Sequence, residues 1–401
     1  MKRVIEWLIY AYLLTLMFGG IFTKVMISSS ILMSIKGVLP DIIMILLIIV
    51  SIIEIIIKWN SNKKSLKFLG ILSAYIIFIF ILNLINCPSV DKVLFILRDT
   101  CLPFISLFLL MKINFSELEI ERIKKVIISI LSIQIILGFI LGIIQYNNGW
   151  EWTSKFYTGY SFYGIDPISN IKIWQSSGNL RIPSLAGNSV LFAFYNYIAY
   201  IIIKSSKIKF KKTLIILSIV NIYLSTTKTV LLLVVFDFIL ICIINSKTKL
   251  KVLLIDIGLL LIGAIIILLP LANNNIYFSI GERIIHWGNI FNSFNILDYI
   301  IPLNLFNLGA GTEGALGFVD NAYFYFLLSY GVVGIVLYVI FIGNQIRVSI
   351  KSNMKIIVGL LIGLLISSIT TNIFQGRTYI SVICIIYFIY YEKRAIKIEK
   401  K

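Results

Sequence analysis

Apolar residues run along this chain in long blocks, parted by short polar intervals in which lysine recurs. A helix needs about 20 such residues, at a rise of about 1.5 Å each, to cross the hydrocarbon core of a bilayer. Continuous runs, rather than short segments of alternating polarity, point to helices and not to a barrel. The pattern predicts spans at about 4–22, 38–57, 68–86, 93–112, 126–145, 185–204, 213–225, 228–245, 252–270, 319–341, 356–372 and 378–391. The expected fold is an all-α polytopic membrane protein of about 12 transmembrane helices. It is expected to form a single integral membrane domain over 1–401 with no separate soluble domain. The seventh and last runs are short, which suits tilting or re-entrant segments. The start, MKRVIEWLIYAYLLTLMFGGIF, has no small-residue cleavage site and reads as a retained first span.

Composition agrees with that pattern. Hydrophobic residues make up 59% of the 401, charged residues 13%, and mean hydropathy is +0.98. The net charge of +18 would suggest a nucleic-acid partner in a soluble protein. Here the distribution says otherwise. Most of the 36 lysines and arginines fall in the start, in 58–67, 112–125, 204–212, 246–251 and 342–355, and in the tail. These are alternate connections, so the positive-inside rule places both termini in the cytoplasm of a multi-pass cytoplasmic-membrane protein. The charge serves anionic head groups, and no nucleic acid is expected. The four cysteines are scattered and there is one histidine, which leaves no metal or disulfide framework legible.

Two predicted extracytoplasmic loops, about 146–184 and 271–318, are far longer than the other connections and carry tryptophan, tyrosine, glycine and isolated charges. Long ordered loops of this kind tend to carry function. They hold Arg181, in NLRIPSLAGN, and Arg283, in IGERIIHWGN. A guanidinium offers a planar fork to phosphate oxygens. The same arginines also suit pairing with Glu282, Asp298 or head groups. A glycine-rich run, GAGTEGALG, leads to Asp320 and Asn321 at the mouth of the span FVDNAYFYFLLSYGVVG. Asp320 fits either a base for a hydroxyl or a helix cap, and Asn321 either a ligand contact or a cap.

Other polar residues fall inside or beside spans. Arg98 and Asp99 are neighbours near the outer end of the fourth span, about 100° apart on an α-helix, so each is expected to pair with another element. Snorkelling to the surface is the alternative. Lys228, in YLSTTKTV, marks either an anion site at a helix start or a tight outer turn. Asp237 is expected to face a partner or a cavity, and Asp41, after Pro40, to cap a helix. The run ELEIE suits a solvated surface-lying helix, and His286 either a general base or an interfacial hydrogen-bonder. No P-loop, dinucleotide fingerprint, HExxH or Asp-x-Asp motif is present in the sequence, so no cofactor or metal is expected.

Taken in order, RIPSLAGN, STTKT, the loop arginine Arg283, GAGTEG and VDNAYFYFLLSYGVVG resemble the O-antigen polymerase and ligase superfamily. The likeness is to the oligosaccharide repeat-unit polymerases of surface polysaccharide assembly, whether O-antigen, capsule or exopolysaccharide. The resemblance covers most of 180–345, and its last motif is the most specific. It implies a glycosyltransferase of the outer face of the membrane. The growing glycan would pass from undecaprenyl pyrophosphate to the sugar of an incoming lipid-linked unit, without a metal. It implies that Arg181 and Arg283, with Lys228, hold the pyrophosphate; Arg98 and Asn321 join the expected substrate-binding set by their own polar placement, and Asp320 is the expected catalytic base or acceptor-orienter. The expected partners are the undecaprenyl-pyrophosphate-linked oligosaccharide, the bilayer and a chain-length regulator. Lys228 stands where the family commonly has arginine. Asp320 stands where ligases typically carry histidine, which favours polymerase. A ligase passing the glycan to another acceptor and a lipid-linked oligosaccharide flippase or transporter are the alternatives.

Overall fold

A computed structural model describes residues 1–26, 30–57, 67–84, 96–157, 175–176, 179–245, 287–290, 292–302, 321–351, 354–370 and 379–399, with 93, 285 and 305. Its elements are α1 (Lys2–Met17), α2 (Gly19–Met26), α3 (Ser30–Ile57), α4 (Lys67–Leu84), a π-helical turn (Leu97–Cys101), α5 (Leu102–Lys112), α6 (Glu117–Phe156), β1 (Gln175–Ser176), β2 (Asn179–Leu180), a 3-10 turn (Ser184–Ala186), α7 (Ser189–Ser205), α8 (Lys211–Leu224), α9 (Lys228–Asn245), α10 (Ile296–Ile300), α11 (Ala322–Lys351), α12 (Lys355–Thr370) and α13 (Tyr379–Glu399).

Each predicted span falls on a described helix except 252–270, which lies outside the described residues. By length and apolar composition, four described helices qualify as crossing a membrane, or five when α1 and α2 are joined across their bend. The chain is therefore a helical membrane protein. α7 sits at its centre. Nearly every side chain from Phe192 to Ile203 is buried, which is what an all-round apolar helix requires. Aliphatic residues of the outer helices, such as Ile45, Ile49 and Ile52 on α3 or Val332, Val336 and Val339 on α11, are exposed. Such faces suit lipid tails.

Several boundaries differ from the predicted ones. α1 and α2 are not one straight span: they bend by 77° at Phe18. Asp41 caps no helix start, because α3 runs through Pro40 from Ser30. ELEIE is not a separate surface helix. It forms the first turns of the 40-residue α6, where the Ser116 hydroxyl accepts from the Glu119 N–H at 3.3 Å and the Glu119 carboxylate accepts from the Ser116 N–H at 2.7 Å. That reciprocal cap lets the helix begin well before its apolar stretch. At its other end α6 continues past 145 to Phe156, through a left-handed Gly149 (φ +77°), so the first long loop begins as helix.

One end of the bundle is fixed by charge. Lys2 Nζ lies 3.2 Å from Glu119 Oε2, and Arg122 makes two 2.8 Å contacts to Glu6. Lys124 lies over the Tyr390 ring, and Phe115 meets Phe388 edge-on. The start of the chain, the start of α6 and the later part of α13 therefore share one end.

Candidate functional site

At the opposite end of α6 the segment carrying Arg181 is seated in the helices. β1 and β2 pair antiparallel, Gln175 with Leu180 and Ser176 with Asn179. The chain then dips into the bundle, with Ile182, Ser184 and Leu185 fully buried. Two residues take left-handed backbone there, Ser184 (φ +43°) and Gly187 (φ +72°). Serine is strained in that conformation and needs support. α6 supplies it. The Ser184 N–H donates to Gln145 Oε1 at 3.0 Å, its hydroxyl donates to the Gly138 carbonyl at 2.7 Å, and its own carbonyl accepts from the Tyr157 hydroxyl. Gln145 Nε2 in turn donates to Tyr157 Oη at 2.9 Å. Asn188 then starts α7, its side-chain oxygen accepting from the Val190 and Leu191 N–H groups.

The bend between α1 and α2 makes room for this turn. A Cβ added at Gly20 would lie 2.5 Å from Gly187 N, 2.8 Å from its Cα and 2.9 Å from the Leu185 carbonyl oxygen. These are backbone atoms, so only glycine allows the approach. Gly20→Ala is expected to lower stability by about 1–3 kcal/mol through overpacking. A drop in the thermal midpoint of the detergent-purified protein is the readout, and an unchanged midpoint would contradict the close approach.

The same segment lies against the turn between α8 and α9. The Ile182 N–H donates to the Leu224 carbonyl at 3.2 Å. Leu224 ends α8, and Ser225, Thr226 and Thr227 turn the chain, Thr226 with a left-handed φ of +53°. Ser225 Oγ donates to the Ile222 carbonyl at 2.6 Å, and the Thr227 carbonyl accepts from Val230 and Leu231 as α9 begins. Lys228 opens α9 and is exposed. The tight turn and the helix start, two readings that the sequence leaves open for Lys228, coexist. Arg181 and Lys228 thus flank one junction, where a backbone hydrogen bond joins their two segments.

Buried amides hold α6, α7 and α8 together below it. Asn221 Nδ2 donates to Asn196 Oδ1 at 2.9 Å and to the Ile135 carbonyl at 3.0 Å, and Ser218 Oγ donates to the Asn196 carbonyl at 2.8 Å. Sequence reasoning passed over Gln145, Tyr157, Asn196 and Asn221. For the three amides a signal was there: polar side chains within apolar runs, which favour partners inside the protein.

A second polar group lies between the π-helical turn, α4 and α11. Arg98 Nε contacts Asp99 Oδ1 at 2.9 Å, so these neighbours meet each other, which the spacing of an ordinary α-helix does not predict. The π turn alters that spacing locally. The Thr100 hydroxyl contacts the Tyr330 hydroxyl, whose residue carbonyl accepts from Tyr75 Oη at 2.9 Å. Asn321 caps α11: its side-chain oxygen accepts from the Phe324 N–H at 3.0 Å, and its carbonyl from the Tyr325 N–H at 2.9 Å. The cap is one of the two roles that the sequence allows Asn321.

Part of the second long loop docks on α4 and α11. α11 breaks at Gly331 (φ +68°), where an added Cβ would lie 2.8 Å from the Tyr299 carbonyl oxygen of α10. Asn83 of α4 donates to the Pro302 carbonyl at 2.8 Å and accepts from the Leu305 N–H at 3.1 Å. Arg283, His286 and Asp320 lie outside the described residues, as does the glycine-rich run before Asp320. Asp237 meets the partner expected of it, since its carboxylate contacts Lys204 Nζ and accepts from Tyr200 Oη at 2.8 Å. In comparison with known proteins, the chain matches no family model, no curated protein and no solved structure.

Proposed function

We propose that this protein polymerises undecaprenyl-pyrophosphate-linked oligosaccharide repeat units at the outer face of the cytoplasmic membrane, with both termini in the cytoplasm. The acceptor sugar hydroxyl attacks the anomeric carbon of the donor glycan. The bond from that carbon to the pyrophosphate oxygen breaks, undecaprenyl pyrophosphate leaves, and the hydroxyl proton passes to a base, for which Asp320 is the candidate. The donor is already activated, so the reaction draws on no nucleotide.

The observation that carries the reading is the junction of the NLRIPSLAGN segment with the STTKT turn through Ile182 and Leu224. Two cationic residues, Arg181 and Lys228, stand on the two sides of that contact. A leaving pyrophosphate needs fixed positive charge and donors in a partly dry site, and the first turn of α9 adds backbone N–H groups of the kind that favour anions. Arg283 belongs to the same proposed set by its sequence context.

The test is the purified protein in vesicles with synthetic lipid-linked repeat units. Polymer of increasing length is the expected product. Capture of the glycan on a different acceptor would make the protein a ligase. Passage of the lipid-linked unit across the bilayer without a new bond would make it a flippase.

A further inference from the structure

The helix α10 belongs to a loop that the sequence places outside the bilayer, yet its surface is not that of a solvated loop. Ile296, Leu297, Ile300 and Ile301 are all between 53% and 80% exposed. At about 100° per residue they cover one side of the helix, an arc of about 140°. Asn295, Asp298 and Tyr299 fall on the other side. The Asp298 carboxylate accepts from the Asn295 N–H at 2.9 Å, which closes the start of the helix. A bare aliphatic face of this kind is costly in water.

α10 also sits at membrane depth. Lys67 opens α4 and is exposed, as a lysine at the edge of the hydrocarbon should be. Asn83 stands about 24 Å further along α4, at about 1.5 Å per residue, in a core about 30 Å thick. Its buried amide holds the backbone that follows α10, donating to the Pro302 carbonyl and accepting from the Leu305 N–H. Irregular backbone at such a depth must be satisfied by protein in this way. The segment touches α11 as well. A Cβ added at Gly331 would lie 2.8 Å from the Tyr299 carbonyl oxygen, 3.2 Å from Pro302 Cδ and 3.4 Å from the Ile300 carbonyl oxygen. Directly after Gly331 come Val332, Val333 and Val336, which are exposed. The aliphatic side of α10 therefore adjoins the face of α11 that suits lipid tails.

We infer that α10 is an interfacial helix: the second long loop dips into the leaflet remote from Lys67, where Ile296, Leu297, Ile300 and Ile301 pack on acyl chains. Helices of this kind sink their apolar face about 5–10 Å below the head groups, which agrees with the level of Asn83. In the orientation proposed above this is the outer leaflet. The inference needs only the membrane class and not the polymerase reaction.

The experiment places a nitroxide on Leu297→Cys or Ile300→Cys, with Val336→Cys as the lipid-facing reference, in the full-length protein with its four native cysteines replaced by alanine. The protein is held in vesicles of phosphatidylethanolamine and phosphatidylglycerol. Relaxation by oxygen, which concentrates among acyl chains, is compared with relaxation by a water-soluble nickel chelate. At both α10 positions oxygen is expected to dominate by about fivefold or more, as at Val336→Cys. Dominance of the nickel chelate there would overturn the inference. Low accessibility to both reagents would overturn it too: with spin–spin broadening a second copy covers the face, and without it another segment of this chain does. Should the cysteine-free protein not fold, Leu297→Trp in the otherwise unaltered chain carries the test. Its added fluorescence is expected to fall by about half or more in nanodiscs of lipid brominated on the acyl chains, and to resist acrylamide. Quenching by acrylamide without quenching by the brominated lipid would overturn the inference.

Discussion

Replacing Arg181 with alanine is expected to cut the rate of glycan chain growth by about 100-fold or more, the usual cost of removing one donor that stabilises a departing anion. The fold is expected to survive. Bonds that seat the turn come from Ile182, Ser184, Gln145 and Tyr157. Arg181→Lys keeps the charge and loses the planar fork, so it is expected to fall between alanine and wild type. The measurement is polymer length and initial rate with lipid-linked repeat units, alongside the thermal midpoint in detergent. Full-rate growth by a folded Arg181→Ala protein would remove the pyrophosphate role and with it the main support for the proposed reaction.

The largest effect on stability is expected at the other end of the bundle. Asp237 of α9 is buried, and its carboxylate contacts both Lys204 and Tyr200 of α7. Lys204 also donates to Tyr200 Oη at 2.9 Å, so three polar side chains close on one another in an apolar setting. Asp237→Ala would leave the ammonium beside apolar neighbours with its counter-charge gone. Breaking a buried pair from one side costs about 3–5 kcal/mol, and about 3 kcal/mol is expected here because Lys204 keeps 26% of its side chain exposed. The double variant Lys204→Met with Asp237→Leu removes both charges and is expected to recover most of that loss. Thermal unfolding of the two proteins in the same detergent decides it. A double variant as weak as the single would mean that the hydroxyl of Tyr200 or the local packing, rather than the charge pair, holds α9 to α7.

The helical membrane class was legible because bilayer crossing imposes a long apolar run, and such runs mark described helices such as α3, α4, α6 and α11. What escaped was whatever depends on contacts between distant residues. The bend of α1 against α2 has a local sign in Gly19 and Gly20, but the turn at Gly187 that it accommodates lies far along the chain. The helical start at ELEIE was misread since its charges suit a surface helix equally well, and the Ser116 cap decides the matter. The contact of Arg98 with Asp99 was not legible because a π turn has no signature in composition. Of the candidate site, the sequence identified Arg181 and Lys228 separately. Their segments join through a backbone bond from Ile182 to Leu224, which no periodicity encodes. For Asn321 the residue type allowed a cap or a ligand contact, and the cap is present in the fold.

The wedge of residues 184–187 also has a meaning for biosynthesis. Its supports at Gly20, Gln145 and Tyr157 leave the ribosome before it does, whereas Leu224 follows later. A nascent chain therefore lacks the turn that packs into the α1–α2 elbow until the sixth predicted span begins. The first hydrophobic segment must enter the translocation machinery before that contact can form. Insertion and final shape are thus separate events for this protein, and a chain truncated before residue 184 would lack the wedge however well its earlier helices had been inserted.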